Sequence, residues 1–124
     1  MNKKRIRNDI AIKLDDYQIW INDVYVTKNM DLTISIDAIY PLLGLNGEVG
    51  ELTDKIKKIY RNNRGIIDEV ERQDIGFELG DILYYLARLS DSYGFSLSEI
   101  IKMNKAKITD RMKREVICGQ GDKR

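Results

Sequence analysis

Histidine is absent from this 124-residue chain, cysteine and proline occur once each, and long apolar runs are missing. Without histidine there is no Ser-His-Asp or Cys-His catalytic group, no imidazole-bound zinc or haem, and no Glu-x-x-His di-iron helix bundle. The single cysteine, Cys118, excludes an internal disulfide and a thiolate cluster. Catalysis would therefore depend on carboxylates, lysine, arginine, hydroxyl groups or a metal ion that prefers oxygen ligands.

An excess of charge of one sign is also lacking, because 21 basic and 20 acidic residues leave a net charge of +1. This balance indicates neither nucleic acid nor a membrane surface as a partner. Residues 1–13 form a basic N-terminal extension, and no apolar run reaches the length of a signal peptide or of a membrane span. We expect a cytoplasmic protein.

The pattern of apolar residues predicts an all-α protein of one domain, a compact four-helix bundle. Apolar residues recur at spacings of three and four, and the only proline, Pro41, lies near the start of a predicted helix, where a missing N–H group is best tolerated. The predicted helices span about residues 14–28, 37–61, 68–93 and 97–112.

Capping residues and loops set the predicted boundaries. Asp37 is expected to cap the second helix, and Ser96 with Glu99 forms a capping box before the fourth. Residues 29–36 are expected to form a loop and residues 118–124 an irregular tail.

Two pairs of acidic residues lie at the same spacing on neighbouring predicted helices. Glu48 and Glu51 are three positions apart on the second helix, as are Glu78 and Asp81 on the third. Like charges at this spacing destabilise an isolated helix by roughly 0.2–0.5 kcal/mol, and burial would add to that cost, so two such pairs indicate a cation between the helices. Ligands that are all oxygen favour Mg²⁺, with Mn²⁺ as a substitute, and Mg²⁺ commonly bridges carboxylates to phosphates.

Cations and an amide recur on the same helix faces. At about 100° per residue, Lys55 and Lys58 return to the side of the second helix that carries its acid pair. Asn104, Lys107 and Arg111 share one face of the fourth helix. These side chains could bind a phosphate or the edge of a base, and a solvated helix face is the alternative.

Glycines are frequent in the two helices that carry the acids. Each destabilises a helix interior by about 1 kcal/mol relative to alanine, so we expect them to allow a close approach of the two backbones. They are Gly44, Gly47, Gly50, Gly76 and Gly80.

At the acid pairs the sequence resembles the MazG-like nucleotide pyrophosphohydrolases of the all-α NTP pyrophosphatase superfamily. The family signature is E-x-x-E followed, after a gap, by E-x-x-D, and here residues 52–77 separate the two pairs. The resemblance extends over about residues 15–124 and places a MazG-like helical domain at residues 14–117. Residues 29–36 have no counterpart, which leaves the choice of substrate open.

The resemblance implies hydrolysis of a nucleoside triphosphate to the monophosphate and pyrophosphate. All four carboxylates would bind Mg²⁺, and Glu51 would also act as the general base. Lys55 or Lys58 would stabilise the pyrophosphate leaving group. The implied substrate contacts are Gln18, Asn104, Lys107 and Arg111.

The resemblance also implies a homo-oligomer, a dimer or a tetramer. A chain this small buries only about two thirds of the surface of its unfolded state, so association through an apolar helix face agrees with that expectation. Two alternatives stay open: a pyrophosphohydrolase of the same fold that acts on a dedicated metabolite such as phosphoribosyl-ATP, and a non-catalytic helical interaction protein.

Overall fold

All the regular structure of the described residues is α-helical. The computed structural model describes residues 12–25 and 36–114, and none of the helices there has both the length and the apolar character of a membrane span. The all-α class and the four predicted helices are confirmed. The helices are α1 Leu14–Val24, α2 Ile36–Asn63, α3 Glu69–Ser92 and α4 Leu97–Lys113.

Several predictions concern parts of the chain outside the described residues. These are most of the N-terminal extension, most of the 29–36 loop and the tail at 118–124, and they stay predictions. The predicted end of the first helix near residue 28 was wrong, because α1 ends at Val24 and the backbone of Tyr25 is already extended.

Capping interactions define the starts of α3 and α4. The predicted box at Ser96 is confirmed: Ser96 Oγ accepts from the Glu99 N–H at 3.2 Å, and the Ser96 N–H donates to Glu99 Oε2 at 2.8 Å. Asp68 forms the same reciprocal pair at the start of α3. The predicted cap of α2 concerns the side chain of Asp37, which lies outside the described part of the structure, and α2 itself is given as Ile36–Asn63.

Helices α2 and α3 form a helical hairpin, and the interface between them is the largest between helices in the described structure. Arg64 and Gly65, with φ values of 52° and 77°, form the tight link after α2. Helix α1 packs on α3, and α4 packs mainly on α1. Ile21, Ala87 and Leu97 bring these three helices together in a small buried core.

A buried glutamine fastens α1 to the link between α3 and α4. Gln18 Nε2 donates to the Phe95 carbonyl oxygen at 2.8 Å and to the Ala87 carbonyl oxygen at 3.4 Å. Its Oε1 accepts from the Leu97 N–H at 2.8 Å. Because the polar atoms of Gln18 already bond to backbone groups, its role in this structure is to position α4.

Among the glycines in the middle of α2 and α3, only Gly44 lies in close contact with a side chain of the other helix. A Cβ at Gly44 would overlap the ring of Tyr85, whereas nothing lies within 4 Å of a Cβ built at the other positions. The expectation that the glycines together allow a close approach of the two backbones was therefore wrong for most of them. The one tight contact is between Gly44 and the ring of Tyr85. The open positions are Gly47, Gly50, Gly76 and Gly80.

Candidate metal centre

Three of the four predicted carboxylates converge between α2 and α3. Glu48, Glu78 and Asp81 each offer one oxygen, and these oxygens all lie within 4.8 Å of one another. Opposite ligands of an Mg²⁺ ion, each bound at about 2.1 Å, are about 4 Å apart, so small side-chain adjustments would let one ion bind all three.

Glu78 is the most enclosed member of this acid cluster, Glu48, Glu78 and Asp81. The residue is 7% exposed, and its Oε1 accepts from Lys55 Nζ at 2.7 Å. Its Oε2 is buried and has no hydrogen-bond partner. An unpaired buried carboxylate oxygen is unfavourable, so the donor set fits an oxygen-seeking cation that would bind this atom.

The charges in the cluster act on one another. Burial raises the pKa of Glu48, and the negative charges of Glu51, Asp81 and Glu78 raise it further. The pKa of Lys55 is raised, chiefly by its hydrogen bond to Glu78. Lys55 is therefore held in its charged form, and the carboxylates repel one another in a way that a divalent cation would relieve.

The fourth predicted ligand, Glu51, is exposed and lies outside the acid cluster. It remains close enough to affect Glu48 and Lys55 electrostatically. The single pocket of four carboxylates expected from the spacing is thus a group of three with Glu51 beside it.

Lys58 lies away from the acid cluster. Its Nζ pairs with Asp54 Oδ2 at 2.5 Å, and Lys57 pairs with the other oxygen of Asp54. Of the two alternatives predicted to stabilise the leaving group, Lys55 is the one whose ion pair reaches across to α3, and Lys58 pairs within α2.

Two tyrosines beside the acids were not singled out as site residues from the sequence. Burial raises the pKa of Tyr17, with a further contribution from the charge of Asp81. Burial likewise raises the pKa of Tyr85, and Glu48 contributes to it. The position of Tyr85 one turn after Asp81 on α3 was the signal that could have identified it.

The predicted residues of α4 line a different part of the molecule. Asn104 and Lys107 border an open cavity of about 460 Å³ formed by α4 and the link before it. Arg111, one turn further along α4, is half-buried. None of the three carboxylates of the acid cluster lines this cavity, so the structure does not join the two groups of predicted residues into one site.

Similarity to known proteins agrees with this geometry. Residues 40–116 match the model of the MazG nucleotide pyrophosphohydrolase domain, over more than half of the chain and including both acid pairs. The chain belongs to the MazG family. The resemblance seen in the acid pairs is thereby confirmed.

Two relatives are similar to this MazG-family chain over different lengths. Gene 37 protein of Mycobacterium phage L5 is 38% identical over 112 residues, which is 90% of this chain and 98% of the phage protein. The uncharacterized protein YvdC of Bacillus subtilis is 34% identical over 70 residues, which is 52% of this chain and 65% of YvdC. No solved structure matches the chain significantly.

Proposed function

We propose that this MazG-family protein hydrolyses nucleoside triphosphates, with ribose or deoxyribose, to the monophosphate and pyrophosphate. Mg²⁺ is the proposed cofactor, and Mn²⁺ a substitute for it. The observation that carries the proposal is the convergence of Glu48, Glu78 and Asp81 around the buried, unpaired Oε2 of Glu78. Such a set of hard oxygen donors suits a cation that also binds phosphate oxygens.

Each residue near the cluster has a proposed part in the reaction. Glu48, Glu78 and Asp81 would hold the cation, which when bound polarises a phosphate and acidifies an attacking water. Glu51, exposed beside them, would accept the proton of that water. Lys55 would offer its ammonium to the negative charge of the phosphates.

Contacts with the rest of the nucleotide are proposed for α4 of a second copy of the chain, because the α4 residues and the acid cluster do not form one site within a single copy. Asn104 would bind the base or the ribose, while Lys107 and Arg111 would neutralise phosphate charge. A cavity of about 460 Å³ beside Asn104 and Lys107 lies within the range of about 300–1,000 Å³ typical of small-molecule sites. Gln18 and Lys58 are left out of this proposal because their polar groups bond elsewhere.

The decisive experiment is an assay of a nucleotide panel with Mg²⁺, in which the phosphate product is identified. Release of pyrophosphate from ribo- or deoxynucleoside triphosphates, abolished by a chelator, supports the proposal. Turnover of phosphoribosyl-ATP alone would favour the dedicated-metabolite alternative. No turnover with any substrate or metal would favour a non-catalytic helical protein.

The role of Glu51 has its own test within that assay. Glu51→Gln should abolish turnover while leaving the far-UV helical signal unchanged, because an amide cannot accept the proton. Full residual activity of this variant would remove Glu51 from the mechanism.

A second copy of the chain is the proposed partner. Helix α2 carries apolar residues at the alternating spacing of three and four that is typical of packed helices, and α3 carries a second such series. At about 100° per residue, each series follows one face of its own helix. Many of these side chains are exposed, for example Leu42 at 52%, Leu79 at 52% and Tyr93 at 66%. The apolar stripe consists of Leu42, Leu45, Val49, Leu52 and Ile56 on α2 and Ile75, Leu79, Ile82, Leu86, Leu89 and Tyr93 on α3.

Sedimentation equilibrium tests this partner. The wild-type chain should sediment as a dimer or tetramer, and Leu79→Glu should shift it to the monomer because a charge would be buried in the apolar interface. Gln73→Glu, on an exposed polar position of the same helix, is the matched control and should leave the mass unchanged. A monomeric wild type would refute the partner without affecting the proposed chemistry.

A further inference from the structure

The lysine of the candidate site is already bonded to one of the proposed metal ligands. Lys55 Nζ lies 2.7 Å from Glu78 Oε1, and the two side chains are 37% and 9% exposed. The carboxylate is therefore enclosed between the helices, whereas the lysine reaches it from the solvent side. A four-carbon stem with an exposed end can turn away at little cost, while the enclosed carboxylate cannot follow it.

Lys55 and a divalent cation would compete for the same carboxylate. Lys55 occupies Oε1 of Glu78, and Oε2 has no partner. A divalent ion bound within the acid cluster would lie a few ångströms from the ammonium, and two cations so close repel each other strongly in a partly buried site. The neighbouring Lys57 is outside this competition, since it pairs with Asp54.

We propose that Lys55 is a built-in counter-ion of the acid cluster that leaves Glu78 when a divalent cation binds, which frees its ammonium for the phosphates of the substrate. This inference rests on the proposed function, because it takes the acid cluster as the metal site. It adds a coupling between two binding events: the lysine becomes available to the triphosphate only after the cation has taken its place.

The coupling has a measurable consequence in the absence of any nucleotide. If Lys55 must leave before a cation binds, then removing its charge should strengthen cation binding, since the competitor is gone. If Lys55 instead holds Glu78 in the orientation that the cation needs, removing it should weaken cation binding. The two roles therefore predict changes of opposite sign.

Calorimetric titration with Mn²⁺ alone, without nucleotide, separates these roles. Lys55→Met should bind Mn²⁺ about tenfold more tightly than the wild type, as expected for loss of a charge-assisted bond to the ligand. Lys57→Met removes the same charge from the same helix outside the acid cluster, and its affinity should stay within about twofold of the wild type. Unchanged or weaker binding by Lys55→Met overturns the inference, as does equal tightening in both variants.

A second measurement uses the wild-type protein and does not depend on how the variant folds. The side-chain ammonium resonance of Lys55, observed by NMR, should shift towards that of exposed lysines as Mg²⁺ is added, and that of Lys57 should not. A Lys55 resonance that is unaffected at saturating Mg²⁺ overturns the inference.

The same data distinguish this inference from the proposed function. A wild type that binds Mn²⁺ and releases pyrophosphate, together with no tightening in Lys55→Met, refutes the displacement of Lys55 and leaves the enzyme intact. A wild type that takes up no divalent cation refutes both.

Discussion

The lysines of α2 form two groups of ion pairs with carboxylates, and the two groups differ in the burial of the carboxylate. Asp54 pairs with Lys57 and Lys58 on the exposed surface of a single helix, and both of its oxygens have partners. Glu78 pairs with Lys55 across two helices, is nine-tenths buried, and keeps one oxygen without a partner. The exposed group is balanced within one helix, whereas the cross-helix group encloses a carboxylate oxygen that no described side chain pairs with. The burial of the carboxylate, more than the number of charges around it, distinguishes the candidate site from the exposed surface.

The largest difference between the two groups is expected when each carboxylate is replaced by its amide. Glu78→Gln should lower pyrophosphate release at least about 100-fold and weaken Mn²⁺ binding, because a central oxygen ligand is lost. Asp54→Asn should change both by no more than about twofold. Far-UV circular dichroism of both variants checks that the helices remain. Equal losses in the two variants would break the comparison.

Replacement of Gln18 should have the next largest effect. Both polar atoms of this buried side chain have hydrogen-bond partners, whereas only one carboxylate oxygen of Glu78 has one. Gln18→Ala should lower the free energy of unfolding by about 2–4 kcal/mol, because the Phe95 carbonyl and the Leu97 N–H would lose their partner. Urea unfolding measures this loss. The KM for nucleotide should stay unchanged in the folded variant; a raised KM with unchanged stability would restore the substrate contact implied by the resemblance.

A pair of glycine substitutions compares the packed and the open parts of α2. Gly44→Ala should lower the free energy of unfolding by about 1–2 kcal/mol. The new methyl group would displace the Tyr85 ring, and the energy lost in this way should exceed the energy gained from the higher helix propensity of alanine. Gly47→Ala, which meets nothing within 4 Å, should raise it by about 0.5–1 kcal/mol. Thermal unfolding of the two variants decides, and changes of the same sign would contradict the contact between Gly44 and Tyr85.

The smallest effect concerns the exposed group itself. Lys57 and Lys58 lower the pKa of Asp54 from its ordinary 3.8 to about 2. A carboxyl with a lowered pKa in the folded state contributes stability above its ordinary pKa, and this contribution is lost as the pH falls towards about 2. Because the pair is exposed, salt should weaken the effect. NMR titration of the Asp54 carboxyl carbon should show a midpoint near 2, moving towards the ordinary value in Lys58→Met.

The helices could be predicted because their determinants are local. Apolar spacing and the Ser96 and Glu99 pair act within a few residues, and the structure has the four helices and the capping box before α4. The first helix was predicted to reach about residue 28, but it ends at Val24. Local signals predict that an end exists more reliably than where it falls.

The candidate site could be predicted only in part. The acid pairs were visible because each repeats within one helical turn, and Glu48, Glu78 and Asp81 do converge. The displacement of Glu51 from the group and the pairing of Lys55 with Glu78 were not visible. Both depend on how far each helix is rotated about its own axis, which spacing along one helix does not define.

By itself the sequence determined the chemistry that is available: no imidazole, no thiolate pair, four helices and two pairs of carboxylates at one-turn spacing. Only the tertiary structure decided how that chemistry is distributed. It buried Glu78 rather than Glu51, brought Lys55 rather than Lys58 to it, and used Gln18 to hold α4 through partners 77 and 79 residues away. The physical reason is that burial and short distances across helices arise from the packing of whole faces, to which every residue of each helix contributes.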